Sequence, residues 1–149
     1  MARLDRDEYF MQIAEVTAQR STCSKLVVGA VAVKNNRIVC TGYNGSPAGM
    51  PHCSENGHLE VDDHCIATVH AEMNCICQAA KMGISLEGSV LYVTHIPCFN
   101  CLKHLINVGV DEVVYRHDYK KELIPALYSK HINVRQLDRG VKNGSSNNS

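Results

Sequence analysis

The sequence predicts a three-layer α/β/α domain with a mixed sheet of about five strands. Three observations carry that expectation. Strand-length runs rich in Val, Ile and Ala alternate with longer stretches of helical periodicity, after an opening hairpin. Glycines stand where two of the helices should stop, at Gly83 and Gly109. Two short Cys/His motifs open the two central helical stretches: His70-Ala71-Glu72 and Pro97-Cys98-Phe99-Asn100-Cys101.

Residues 5–18 read as a helix. Tyr9, Ile13 and Val16 keep helical spacing, with Phe10 and Ala14 beside them. Asp5, Asp7 and Glu8 sit where the helix dipole favours acids, and the helix is expected to cover one sheet face. Residues 26–33 and 37–43 follow as strands, joined at Asn35-Asn36, a hairpin-turn pair. Residues 44–66 form a long loop. Gly45, Pro47, Gly49, Pro51 and Gly57 argue against regular structure there, and loops of this length inside a domain are usually functional. A helix over 68–82 should carry His70 and Glu72, followed by a strand over 89–95. A helix over 98–108 should carry both motif cysteines, followed by a strand over 110–115. Residues 120–130 read as a helix that Pro125 should break or kink. A last short strand covers 132–137. The domain is placed at 1–140. Residues 141–149, VKNGSSNNS, are polar and expected to be a disordered tail.

The chain has 149 residues, enough for one domain with a sizeable core. Its 15 basic and 15 acidic residues balance. A duplex-binding protein usually shows a basic excess, so the expectation is a small-molecule substrate and no nucleic-acid partner. No apolar run is long enough to span a membrane. The N-terminal MARLDRDEYF lacks the apolar core of a signal peptide. The expected location is the cytoplasm, or the host cytoplasm for a viral protein. In such a reducing compartment, eight cysteines read better as metal ligands than as disulfides.

Zn²⁺ favours thiolate and imidazole ligands, and a catalytic zinc takes three from the protein. His70, Cys98 and Cys101 supply that number. Cys98 and Cys101 are spaced i, i+3, which brings two sulfurs to one side of a helical turn. The positive end of that helix favours thiolates. Glu72 stands two residues from His70, where it can serve as general acid and base. His-x-Glu followed by Pro-Cys-x-x-Cys is the pattern of zinc deaminases that act on nucleobases. The plainer reading is a structural Cys/His zinc clip, against which Glu72 is the main argument. Cys23, Cys53, His58 and Cys65 remain as a second possible zinc set, with His52 or His64 able to replace one ligand. A closed four-ligand site would offset the ordering entropy of the long loop. Free thiols and surface histidines are the alternative. Cys40, Cys75 and Cys77 read as buried small hydrophobes.

Beyond the two motifs, the chain contains Val28-Gly29-Ala30-Val31, Thr41-Gly42-Tyr43-Asn44-Gly45-Ser46-Pro47, His70-Ala71-Glu72-Met73-Asn74 and Leu91-Tyr92-Val93-Thr94. Together these resemble the deoxycytidylate (dCMP) deaminases of the cytidine deaminase-like superfamily. The resemblance implies the cytidine deaminase-like fold and hydrolysis of dCMP to dUMP, supplying thymidylate synthesis. It implies a homohexamer activated by dCTP with Mg²⁺ and inhibited by dTTP. The associated effector loop would be Gly42, Tyr43, Asn44, Gly45, Pro47 and Gly49. Asn44 is also a candidate sugar contact, with a turn-stabilising role as its alternative. The Ala71 backbone is expected to face the base, and Arg20, Ser24, Lys25 and Tyr119 are candidate phosphate donors. Some relatives carry a second zinc near the long loop. Two other readings stay open: a related deaminase acting on a purine precursor or tRNA, and a zinc-stabilised nucleic-acid module without catalysis.

Overall fold

Alternation along three strands sets the architecture of the computed structural model. It describes residues 2–62, 64–118 and 124–138. Tyr119, residues 120–123 of the expected helix, the 141–149 tail and the side chain of His64 lie outside the described residues. Helix α1 spans Arg6–Ala18, and the Asp5 carboxylate caps it by accepting from the Glu8 N–H at 2.9 Å. Strands β1 (Gly29–Lys34) and β2 (Arg37–Tyr43) form the expected hairpin. Asn35 and Asn36 both adopt positive φ, 53° and 62°, as a tight two-residue turn of this hand requires. Then come α2 (Cys53–Asn56), β3 (Glu60–Val61), β4 (His64–Cys65), α3 (Ala71–Met82), β5 (Val90–His95), α4 (Phe99–Asn107) and β6 (Glu112–His117). A 3₁₀ turn at Tyr128–Lys130 leads into β7 (Asn133–Gln136).

The main sheet has five strands in the order β2-β1-β5-β6-β7. The pairings β2–β1 and β1–β5 are antiparallel; β5–β6 and β6–β7 are parallel. Side chains alternate across it. Val31, Val33, Tyr92 and Val114 meet Phe10, Met11 and Ala14 of α1. Ala30, Ala32, Leu91, Val93 and Val113 face the other way, toward Ala71, Cys75 and Ala79 of α3 and Leu102 and Leu105 of α4. The result is the expected three layers. Two glycines let the helices approach this closely. A Cβ at Gly29 would run into the Ala14 carbonyl of α1, and one at Gly42 into the Ala71 carbonyl of α3.

Several expected boundaries move. Helix α3 begins at Ala71 rather than at 68, because Val69 pairs with Gly45 as an extended bridge. Helix α4 begins at Phe99, one residue after Cys98. Residues 26–28 precede β1, and the carbonyls of Leu26 and Val28 go to Asn44 instead of a strand partner. The long loop does hold regular structure, the one-turn α2 and the β3–β4 hairpin. No α-helix runs through residues 124–130; Pro125 lacks an N–H and pushes Ile124 away from helical backbone. Among the buried cysteines, Cys40 and Cys75 are as expected, but Cys77 is exposed. It lies two residues from Cys75, nearly opposite on the helix. No helix of the described residues is long and apolar enough to cross a membrane.

Candidate metal centre

The starts of α3 and α4 lie side by side, and each is built around a metal-ligating side chain. His70 and Cys98 occupy the residue before their helices, in extended backbone with ψ of 153° and 160°. That conformation is what a helix cap adopts; the Cys98 sulfur caps α4, whereas the His70 side chain makes no cap. His70 Nδ1 lies 3.7 Å from Cys98 Sγ and 3.5 Å from Cys101 Sγ. The ligand atoms of all three lie within 4.8 Å of one another. Cys101 is buried and His70 partly exposed. The donor set, two sulfurs and an imidazole, suits zinc with one position left over. Cys98 Sγ accepts from the Cys101 N–H at 3.4 Å. Its thiol is held down to about 4, first by hydrogen bonding with the Cys101 side chain, then by His70 and the Cys101 N–H, against the opposing effect of burial. A thiolate at that position is ready for a cation. Glu72 stands in the first turn of α3, only 4% exposed.

The cap position of α3 is given to a metal ligand, so His70 makes no capping hydrogen bond. Asn44 does that work from 27 residues away. Its Oδ1 accepts from the Ala71 N–H at 2.7 Å, and its Nδ2 donates to the Leu26 carbonyl at 3.0 Å. The Ala71 N–H is therefore engaged within the protein. Asn44 is 2% exposed, and one of its two amide hydrogens is committed to Leu26.

The second set also comes together. Cys23, Cys53, His58 and Cys65 place one ligand atom each within 4.8 Å of all the others. Cys53 Sγ and Cys65 Sγ are 3.5 Å apart; Cys23 Sγ and His58 Nδ1 are 3.8 Å apart. Thr68 Oγ1 stands 3.6 Å from Cys53 Sγ and 3.4 Å from Cys65 Sγ. Thr68 pulls the Cys65 thiol down to about 5, helped by His58 and opposed by burial. It also pulls on Cys53, but burial and the Cys65 and Cys23 sulfurs outweigh it and leave that thiol raised. The neighbouring Cys53 and Cys65 thiols are thus shifted in opposite directions. Three sulfurs and an imidazole within 4.8 Å of one another fit a closed four-ligand site for a divalent cation.

Arg20 and Ser24 are exposed near the end of α1, and Lys25 pairs with Glu60 at 2.8 Å. Gly42 is explained by packing against α3, and Gly49 by a φ of 84°. Two side chains that the motif pattern did not single out for a role stand next to the clusters, Thr68 and Asn74. Their signal was a polar side chain beside each motif, but nothing in the sequence names their partners.

Comparison with known proteins bears on this geometry. The family model described as "cytidine and deoxycytidylate deaminase zinc-binding region" matches residues 4–117. ComE operon protein 2 of Bacillus subtilis is 48% identical over 120 residues, 80% of this chain and 64% of that protein. The chain thus spans just under two thirds of that relative's length. The deoxycytidylate deaminase of Mycobacterium phage D29 is 42% identical over 127 residues, 77% of this chain and 97% of that one. The crystal structure of the dCMP deaminase from cyanophage S-TIM5, in complex with dCMP and dUMP, matches with a TM-score of 0.78. Identity there is 33%, covering 92% of this chain and 100% of that one.

Proposed function

This chain belongs to the cytidine and deoxycytidylate deaminase zinc-binding family, and from that premise we propose that it hydrolyses dCMP to dUMP and ammonia, supplying dUMP for thymidylate synthesis. One observation carries the proposal: His70, Cys98 and Cys101 converge within 4.8 Å, two residues from the buried carboxylate of Glu72. The substrate class is supported by the phage D29 and S-TIM5 enzymes, both named for it.

Zinc held by those three ligands would supply Lewis acidity, making an attacking water acidic enough to lose its proton near neutrality. The remaining work falls to the chain. Glu72 takes the proton of the water that adds to C4 of the cytosine ring and gives it to N3. It then passes the water's second proton to the departing amine, so that dCMP and water become dUMP and ammonia. Glu72 and His70 share the start of α3, so base and ligand keep a fixed separation. The second Asn44 amide hydrogen is assigned to a sugar hydroxyl, and Arg20, Ser24, Lys25 and Tyr119 to the 5′-phosphate.

The proposal extends to regulation and assembly. A Gly-rich loop over 42–49 can aim backbone N–H groups at phosphates, and we assign to it dCTP with Mg²⁺ as activator and dTTP as inhibitor, in a homohexamer. The set Cys23, Cys53, His58 and Cys65 is assigned a second, structural zinc. The deciding experiment is ammonia release from dCMP, dCTP, deoxycytidine, CMP and tRNA. The expected result is turnover of dCMP well above the others. Turnover of tRNA or free deoxycytidine in its place overturns the substrate. Hyperbolic kinetics indifferent to dCTP and dTTP overturn the regulation.

A further inference from the structure

We propose that Asn74 is a positioning residue for His70, and that its amide hydrogens, rather than its bulk, set how well the first metal is held. The inference rests on the zinc deaminase reading above and adds to it a residue that touches neither metal nor substrate.

The argument begins with an asymmetry between the two metal-bearing helix starts. Cys98 braces itself: its sulfur accepts from the Cys101 N–H in the first turn of α4. The His70 ring is turned to the cysteines and makes no such cap. Neighbouring groups hold its backbone. Asn74 does this from two sides. Its backbone N–H donates to the His70 carbonyl at 2.9 Å. Its side-chain Nδ2 donates to the Val69 carbonyl at 3.2 Å and to the Tyr43 carbonyl at 2.8 Å. A primary amide nitrogen carries two hydrogens, and both are used.

The acceptors explain why this matters for the ligand. Val69 immediately precedes His70. Its carbonyl also accepts from the Gly45 N–H at 3.2 Å, while its own N–H donates to the Gly45 carbonyl at 2.8 Å. With Asn74, Val69 is held at its N–H and twice at its carbonyl. Tyr43 ends β2, an edge strand of the sheet, where the ladder offers its outer side no partner. Asn74 thus ties the residue before His70 to the sheet edge and to the loop that holds Asn44. Without its donors, His70 keeps its place in sequence but loses the brace on its approach. Partners that orient a metal ligand typically govern affinity by about 10- to 100-fold.

The test uses the full-length, zinc-loaded protein as wild type, Asn74→Ala and Asn74→Asp. Asn74→Asp keeps the shape and replaces the donors by acceptors. An acid in the first turn of α3 is favourable to the helix, so this variant is expected to fold. Zinc transfer to a chromogenic chelator is followed with time, together with thermal unfolding and dCMP kinetics. Both variants are expected to release one zinc about tenfold faster or more, with the second zinc unaffected. The turnover number should fall while KM stays within about twofold, since the residue does not touch substrate. Wild-type zinc retention in Asn74→Asp overturns the proposal, because it would assign the role to bulk. Faster release that merely tracks a lower unfolding temperature in both variants also overturns it. A wild type that holds zinc but does not turn over dCMP sinks the activity reading alone, and the zinc-transfer comparison still decides Asn74.

Discussion

Glu72 and Asn44 show how differently two buried polar residues can be read. Glu72 is 4% exposed and stands in the first turn of the helix that His70 opens. Burying a carboxylate costs stability unless it is paired or hydrogen-bonded, and the proposed mechanism gives this one the proton transfer. Glu72→Gln keeps the shape and removes the base. Turnover of dCMP is expected to fall about 10²- to 10⁴-fold, with zinc content unchanged; ammonia release and metal analysis on the same sample check both. Retention of near-normal turnover would remove Glu72 from the mechanism. The convergence of His70, Cys98 and Cys101 was legible because a metal would fix such spacing, with two sulfurs one helical turn apart; the roles of these residues and of Glu72 belong to the proposal. The work of Asn44 and Asn74 was not, because it lies in partners 27 and 31 positions away. A turn asparagine and a helix-capping one look the same in a sequence. Periodicity puts His70 and Cys98 inside helices for a related reason. A residue at the cap and one in the first turn share the same periodicity, and only the backbone angle separates them.

At the scale of the element, the segment 44–66 was legible as a loop but not as a folded one. Its glycines and prolines forecast irregular backbone, and they could not forecast that Cys53 and Cys65 would meet at 3.5 Å. That meeting depends on a turn of helix at Cys53–Asn56 and a hairpin at His64–Cys65, each too short for any periodicity to register. The segment buries little apolar surface: Met50, Leu59, Val61 and Ile66 are all more than half exposed. Under the proposed second zinc site, a bound metal would supply much of its order. Elemental analysis should find two zinc ions per chain in the wild type and one in Cys53→Ser, with proteolysis within 44–66 accelerated in the variant. One zinc per chain in active wild-type protein would end the second site. The contact between β2 and α3 makes a sharper demand. A methyl group at Gly42 meets the Ala71 carbonyl and the Cys75 N–H of α3. Gly42→Ala is expected to destabilise the fold by about 1–3 kcal/mol through overpacking, read as a lower urea midpoint. An unchanged midpoint would mean that α3 moves away from the sheet without cost.

Across the whole molecule, α1 is fastened to the far strands by ion pairs that join the two ends of the chain. Arg116 of β6, with its side chain only 3% exposed, reaches Glu8 at 2.6 Å and Glu15 at 3.4 Å. Asp7 accepts from the Tyr92 hydroxyl at 2.6 Å and from Arg135 of β7 at 2.8 Å. These pairings span 85 to 128 positions, so the sequence could forecast the helix but not its latches; nor did the Tyr9, Ile13 and Val16 spacing mark the buried face, since Tyr9 and Val16 are exposed and Phe10, Met11, Ala14 and Ala18 are buried against the sheet. The Asp7 latch carries a pH signature. Burial pushes its carboxyl up, but hydrogen bonds from Tyr92 and Arg135, with the charges of Arg135 and Arg6, outweigh burial and leave it below its ordinary value of 3.8. A carboxyl whose folded-state value is depressed binds protons more readily when unfolded. It therefore adds stability above the unfolded value, and that contribution is lost as pH falls through the folded one. Asn at this position still accepts from Tyr92 but carries no charge for Arg135. Arg135 is 39% exposed, which limits the ion pair to about 1 kcal/mol or less. Urea unfolding of wild type and Asp7→Asn at matched pH should show the wild type more stable at neutrality. The gap should narrow as pH drops below the ordinary aspartate range and close under strong acid. Comparing the two proteins at each pH cancels the loss of metal that acid causes in both. A gap that persists undiminished into strong acid would mean that Asp7 holds α1 by shape and hydrogen bonding alone, with its charge contributing nothing.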